Sequence, residues 1–115
     1  ALLTRQHLLE AAVRIRSMGA DSVVLSSGSR GAVGASQGRL LEAIPPRIDS
    51  VCPIGSGDAL AAAFVWAMRE KNDFADALRW GVAAGTASAQ LPGLRFASLE
   101  QTRELYAQVE VRAAG

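Results

Sequence analysis

Residues 53–60 read Pro53-Ile54-Gly55-Ser56-Gly57-Asp58-Ala59-Leu60, and an alanine-rich helical stretch follows at once to Arg69. Two glycines bracket a serine, so the backbone can turn sharply with no Cβ in the way. The helix behind them carries few polar side chains before Arg69. Such a helix has no wet face of its own, so other elements must cover it. The octet therefore demands a layered fold around a tight turn. It also sets an anion-binding turn, a helix N-terminus and one carboxylate side by side.

The rest of the pattern is α/β. Leu8, Leu9, Ala12, Ile15 and Arg16 recur at helical spacing over about residues 5–18, with Thr4 as a candidate cap and Gly19 as a left-handed stop. Ser22-Val23-Val24-Leu25-Ser26 is short, apolar and β-branched, as expected of a strand buried on both faces in a parallel sheet. Residues 32–35 and 39–43 read as two short strands hinged at Gln37-Gly38. Pro45-Pro46 is a rigid break. Asp73 suits the cap of a helix over about 74–90, which carries Gly81 and Gly85 one turn apart, so another backbone or a flat ligand can come close. Pro92-Gly93 ends it. Ser98 and Gln101 fit a capping box that opens a last helix to about residue 109. Trp66 and Trp80 read as core residues. The order is helix, strand, β-hairpin, then three helices. One core strand is not a sheet, and two mostly apolar helices need more to pack on. Residues 1–115 are therefore expected to be the C-terminal fragment of a larger α/β protein, a single incomplete domain. If nothing precedes Ala1, strand 22–26 lacks its parallel neighbours and an apolar face lies uncovered.

Bulk properties exclude several function classes. The 115 residues are 50% apolar and 20% charged, with a formal net charge of +1. That balance carries no field to draw nucleic acid or a membrane surface. No run approaches the ~18 consecutive apolar residues of a membrane span, and no signal-peptide pattern opens the chain. Cys52 is the one cysteine, which makes a reducing, cytoplasmic home the default. Cys52 reads as a small buried residue, and His7 has no partners at metal-ligand spacing.

The Gly55–Asp58 tetrad points to phosphate chemistry. Glycine amides and the positive end of a helix attract an oxyanion. An aspartate with an ordinary pKa of about 3.9 is ionised at neutral pH and can take a hydroxyl proton. The same tetrad suits a plain N-cap in which Asp58 binds backbone amides, and the residues alone leave both readings open. Ser26-Ser27-Gly28-Ser29-Arg30-Gly31 follows a strand, where ligands of α/β sheets bind, though it equally suits a hairpin turn. Neither a Walker motif nor a dinucleotide fingerprint is present. Arg30 and Arg95 could reach phosphates.

Together these motifs resemble the phosphofructokinase B (ribokinase-like) family of carbohydrate kinases. Val23–Val33 is similar to its phosphate-holding strand and turn, Pro53–Ala59 to its C-terminal signature, and Gly81–Ala87 to the helix lining its adenine pocket. The Pro-Ile-Gly-Ser-Gly-Asp form is most similar to the branch of tagatose-6-phosphate kinase and 1-phosphofructokinase. The resemblance implies the C-terminal part of a ribokinase-like three-layer α/β/α fold. It implies ATP-dependent phosphorylation of a sugar-phosphate hydroxyl. Asp58 would be the base, the amides of Gly55, Ser56, Gly57 and Asp58 the anion hole, and Ser26, Gly28, Gly31 and Gly85 the ATP contacts. Mg2+ is implied by the chemistry of ATP, with no ligands in this chain. A homodimer is implied for a full-length protein. Many family members carry asparagine near Val82, on the adenine side, and here the position is apolar. Rival readings are a pentose or nucleoside kinase of the same family, a non-catalytic nucleotide-binding domain and a dinucleotide-binding oxidoreductase. The last would prefer NAD where a kinase prefers ATP.

Overall fold

The computed structural model describes residues 5–19, 21–26, 31–47, 55–91 and 97–114, with only the backbone of Arg5. Helix α1 (Arg5–Ser17) leads into strand β1 (Ser22–Ser26). Strands β2 (Ala32–Ser36) and β3 (Arg39–Ile44) follow, then helices α2 (Ser56–Lys71), α3 (Phe74–Ala89) and α4 (Leu99–Tyr106), and strand β4 (Glu110–Ala113). Among the described residues no helix is long and apolar enough to cross a membrane.

The four strands form one antiparallel sheet in the order β1-β2-β3-β4. Gln37 and Gly38 close the β2–β3 hairpin with φ values of 49° and 78°, the left-handed pair that matches strand twist in a two-residue turn. Side chains alternate between the faces of the sheet. Val23, Val33 and Ala35 pack on Leu8, Leu9 and Ala12 of α1. Ala32, Leu41 and Ala43 pack on Leu78, Val82, Ala83 and Ala87 of α3. The sheet is thus sandwiched between helices, the three-layer α/β/α arrangement. Leu78 and Val82 are fully buried, and each contributes about 1.5–3 kcal/mol by leaving water.

Helix α3 is buried nearly all round, with eleven buried residues. Asp73 caps it by accepting from the Asp76 amide at 3.2 Å. Helix α2 packs along it and has only Ala59 and Ala67 buried. Helix α4 opens with the expected capping box of Ser98 and Gln101. It is clasped to α3 by Tyr106. The Arg79 guanidinium lies 4.4 Å above the Tyr106 ring and its Nε donates to the Tyr106 carbonyl at 2.9 Å. The Tyr106 hydroxyl donates to Asp76, and the ring stacks on Trp80 at 4.3 Å.

Three expectations change. The last helix stops at Tyr106, and Glu110–Ala113 forms β4. The alternation Val109-Glu110-Val111-Arg112 carries a strand period, with Val109 buried in the core and Val111 packed against it. The Arg112 Nε donates to the buried Glu42 at 3.1 Å, which fixes the β3–β4 pair. The described neighbour of strand β1 is the antiparallel β2, and only Val23 of β1 is buried, so the strand is not covered on both faces. Apolar composition reports burial but not strand direction. Trp66 is 41% exposed and meets the core only through an edge contact with Trp80 at 5.4 Å. Pro92-Gly93 and Thr4 lie outside the described residues.

Gly31, at the entrance of β2, has φ +93°, and a Cβ there would stand 2.0 Å from the Ala43 carbonyl oxygen and 2.8 Å from Pro45 Cδ. Gly38 has φ +78° with nothing within 4 Å of such a Cβ. Gly31→Ala is expected to cost about 2–5 kcal/mol of unfolding free energy, strain plus overpacking. Gly38→Ala is expected to cost about 1 kcal/mol. Urea denaturation of both variants checks this, and equal losses would contradict it.

The hydrogen bond to Asp76, burial and the Asp76 charge raise the Tyr106 hydroxyl above the ordinary value of 10.0, with Arg79 pulling against them. The fold thus favours the protonated hydroxyl. Its contribution is fully present below about pH 10, the unfolded value, and is lost as pH rises through the higher folded value. Tyr106→Phe is expected to lower the melting temperature near neutrality, with a gap to wild type that narrows above pH 10. A gap that is constant with pH would contradict this.

Candidate active site

The entrance to α2 is the candidate site. Gly55 caps the helix at φ 87°, ψ −7°, and no side chain caps it by hydrogen bond. A residue with a Cβ pays roughly 1–2 kcal/mol in that left-handed geometry. The first bond of the helical ladder runs from the Ala59 amide to the Gly55 carbonyl at 3.0 Å. The ladder therefore does not use the amides of Ser56, Gly57 and Asp58. Those amides sit at the positive end of a 16-residue helix, the setting that attracts an anion.

The two glycines of the tetrad serve different ends. Gly55 supplies the left-handed turn. Gly57 lies in the first helical turn, is exposed, and a Cβ built on it would meet nothing within 4 Å. Asp58 is exposed one residue on. The arrangement offers amide donors, an open approach and a carboxylate on one helical turn. It can hold an oxyanion and receive a proton beside it.

The other expected site residues are placed as follows. Ser26 ends β1, is exposed and pairs with Ala32. Gly31 is buried against Ala43 and Pro45, which accounts for a glycine there on backbone grounds alone. Gly28 lies outside the described residues, as do Arg30, Cys52 and Arg95. Gly85 is buried, and its α-carbon faces the Ser56 carbonyl. Val82 is 2% exposed and sits in the core under α3. His7 is exposed on α1. Among the described residues, no three His, Cys, Asp or Glu side chains cluster as metal ligands would.

Contacts through α3 connect the two turns. Gly31 abuts Ala43. Ala43 shares a core with Val82, Ala83 and Ala87. Gly85, in the same half of α3, abuts Ser56. Sequence reasoning saw two phosphate-type turns but not this linkage. Its signal was the Gly81/Gly85 spacing, which marks a close approach without naming the partner. Sequence reasoning also missed a cleft of about 330 Å³ lined by Ala59, Ala62, Trp66, Trp80, Ala84 and Leu99 among others. Its described lining is mostly apolar, with the hydroxyl side chains of Ser88 and Thr102.

The chain is similar in sequence and fold to known proteins. The chain is 33% identical over 93 residues to the ATP-dependent 6-phosphofructokinase isozyme 2 of Escherichia coli (strain K12), covering 81% of this chain and 30% of that one. It is 30% identical over 107 residues to the 1-phosphofructokinase of Borreliella burgdorferi, covering 92% of this chain and 34% of that one. The crystal structure of phosphofructokinase-2 from Escherichia coli in complex with substrates and products superimposes with a TM-score of 0.83 at 33% identity, covering 92% of this chain and 34% of that one. The chain thus spans about a third of the length of these relatives. The pfkB family of carbohydrate kinases matches residues 1–102, and the chain belongs to that family.

Proposed function

We propose that this chain is the C-terminal part of an ATP-dependent sugar-phosphate kinase, with the Gly55–Asp58 turn as its phosphoryl-transfer site. The observation that carries the reading is the start of α2, where Gly55 makes a left-handed turn with no side-chain cap and Gly57 and Asp58 stand exposed in the first helical turn. Relatives named 1-phosphofructokinase and 6-phosphofructokinase support a ketohexose phosphate as acceptor.

In this reading the acceptor hydroxyl approaches over Gly57 and gives its proton to the Asp58 carboxylate. Its oxygen forms a bond to the γ-phosphorus while the bridging bond to ADP breaks. The amides of Gly55, Ser56, Gly57 and Asp58 bind the oxygens of the group in transit. Positioning and charge stabilisation supply most of the catalysis in such a transfer. Ser26, Gly28 and Gly31 would meet the rest of the ATP phosphate chain. An uncapped helix end fits a phosphoryl group, whose oxygens accept hydrogen bonds. The Mg2+ that travels with ATP would neutralise phosphate charge and is assigned to no residue of this chain. The residues that select the sugar belong to the two thirds of the relatives' length outside the match.

Asp58→Asn in the full-length natural protein is expected to lower kcat by about 10²–10⁴-fold, the usual range for losing a general base. A kcat within a few-fold of wild type sinks the assignment. Gly57→Ala separates function from folding. Alanine is favoured over glycine inside a helix by about 0.8–1.0 kcal/mol, and the site has room for the methyl. The melting temperature is expected to hold or rise while turnover falls. Full activity in a stabilised Gly57→Ala protein would show that nothing needs the space above this turn.

A further inference from the structure

We propose that Gly85 is a positioning residue for phosphoryl transfer, acting through Ser56 and not by touching the nucleotide. The inference rests on reading the Gly55–Asp58 turn as the transfer site. A Cβ built at Gly85 stands 3.0 Å from the Ser56 carbonyl oxygen and 3.5 Å from Leu60 Cβ. At that distance one of the two backbones must give way by a few tenths of an ångström. The Ser56 carbonyl and the Gly57 amide belong to one rigid peptide plane. Any displacement of that oxygen therefore displaces the Gly57 N–H. The next residue is Asp58, so the carboxylate moves as well.

The fold places an internal comparison one helical turn away. A Cβ at Gly81 stands 3.0 Å from the Leu60 carbonyl oxygen, 3.3 Å from Leu60 Cγ and 3.4 Å from Phe64 Cβ. The two glycines lie on the same helix and make equally close crossings. Gly81 presses on the second and third turns of α2, whereas Gly85 presses on the residue that opens it. If the crossing served packing alone, the two positions would behave alike. If it sets the anion-binding turn, only Gly85 reaches the chemistry. Ser56 is also the point where α2 leaves the Gly55 turn.

The test compares Gly85→Ala with Gly81→Ala in the full-length natural protein, measuring melting temperature, kcat and both KM values. Misplacement of reacting groups by 1 Å costs about 10²-fold in rate, so a shift of a few tenths is expected to lower kcat about 5–10-fold. The KM for ATP should change little, because the amides at issue act on the group in transit. Gly81→Ala should lose as much melting temperature and keep kcat within about two-fold. Equal kcat for the two variants at equal loss of stability overturns the proposal. So does a Gly85→Ala protein that fails to fold, since the contact would then be a folding requirement. Asp58→Asn in the same assay separates the two levels of the argument. If it leaves turnover intact, the reading of the site fails. If it abolishes turnover while Gly85→Ala matches Gly81→Ala, only the positioning role fails.

Discussion

The bare crossing of α2 over α3 is the contact on which the arrangement of this chain depends. Helix α3 is covered nearly all round, by the sheet, α4 and α2. Helix α2 has no comparable coat, with two buried residues of sixteen. Its location is set by α3, and the two glycines of α3 bring the backbones together at Ser56 and Leu60. A larger residue at either point would lift α2 away. The Gly55–Asp58 turn is therefore positioned through its contact with α3.

The start of α2 is built against the usual rules of helix stability. Asp73 caps α3 and Ser98 caps α4 through their side chains, whereas α2 begins with a glycine and no such bond. A serine or aspartate cap is commonly worth about 1 kcal/mol, and Gly57 forgoes a further 0.8–1.0 kcal/mol relative to alanine. Violations of local consistency are expected where function requires them. Asp58 partly offsets them, because a carboxylate in a first turn gains about 0.3–1 kcal/mol from the helix dipole. The carboxylate and the vacated donor positions are thus complementary parts of one turn.

Much of this was legible in the sequence, because its signals are local. Gly19, Gln37-Gly38, Asp73 and the Ser98/Gln101 pair each state a backbone requirement within a few residues, and each is met. The Gly55–Asp58 tetrad was legible for the same reason. Strand direction was not, since Val23-Val24-Leu25 reads the same beside a parallel or an antiparallel neighbour. Nor was the exposure of Trp66, because the helical period of α2 is blurred by alanine on every side. The serine–glycine turn after β1 was ambiguous in the sequence. Gly31 shows why, since the crowding at Ala43 demands glycine whether or not a phosphate binds nearby.

Helix α2 finally divides its labour by face and by length. One side is pinned to α3 through Leu60 and Phe64. Another presents Ala61, Ala62, Val65 and Trp66 outward, with Val65 55% exposed. Its first turn faces neither way, but along the axis, where the first N–H groups of the helix point. In the proposed reading, an acceptor meets Asp58 past the exposed Gly57. This chain holds the proposed transfer turn, while the relatives carry about two thirds of their length outside the match. A turn proposed to hold the phosphoryl group and take the proton can serve different sugars, provided that the selecting residues lie outside it.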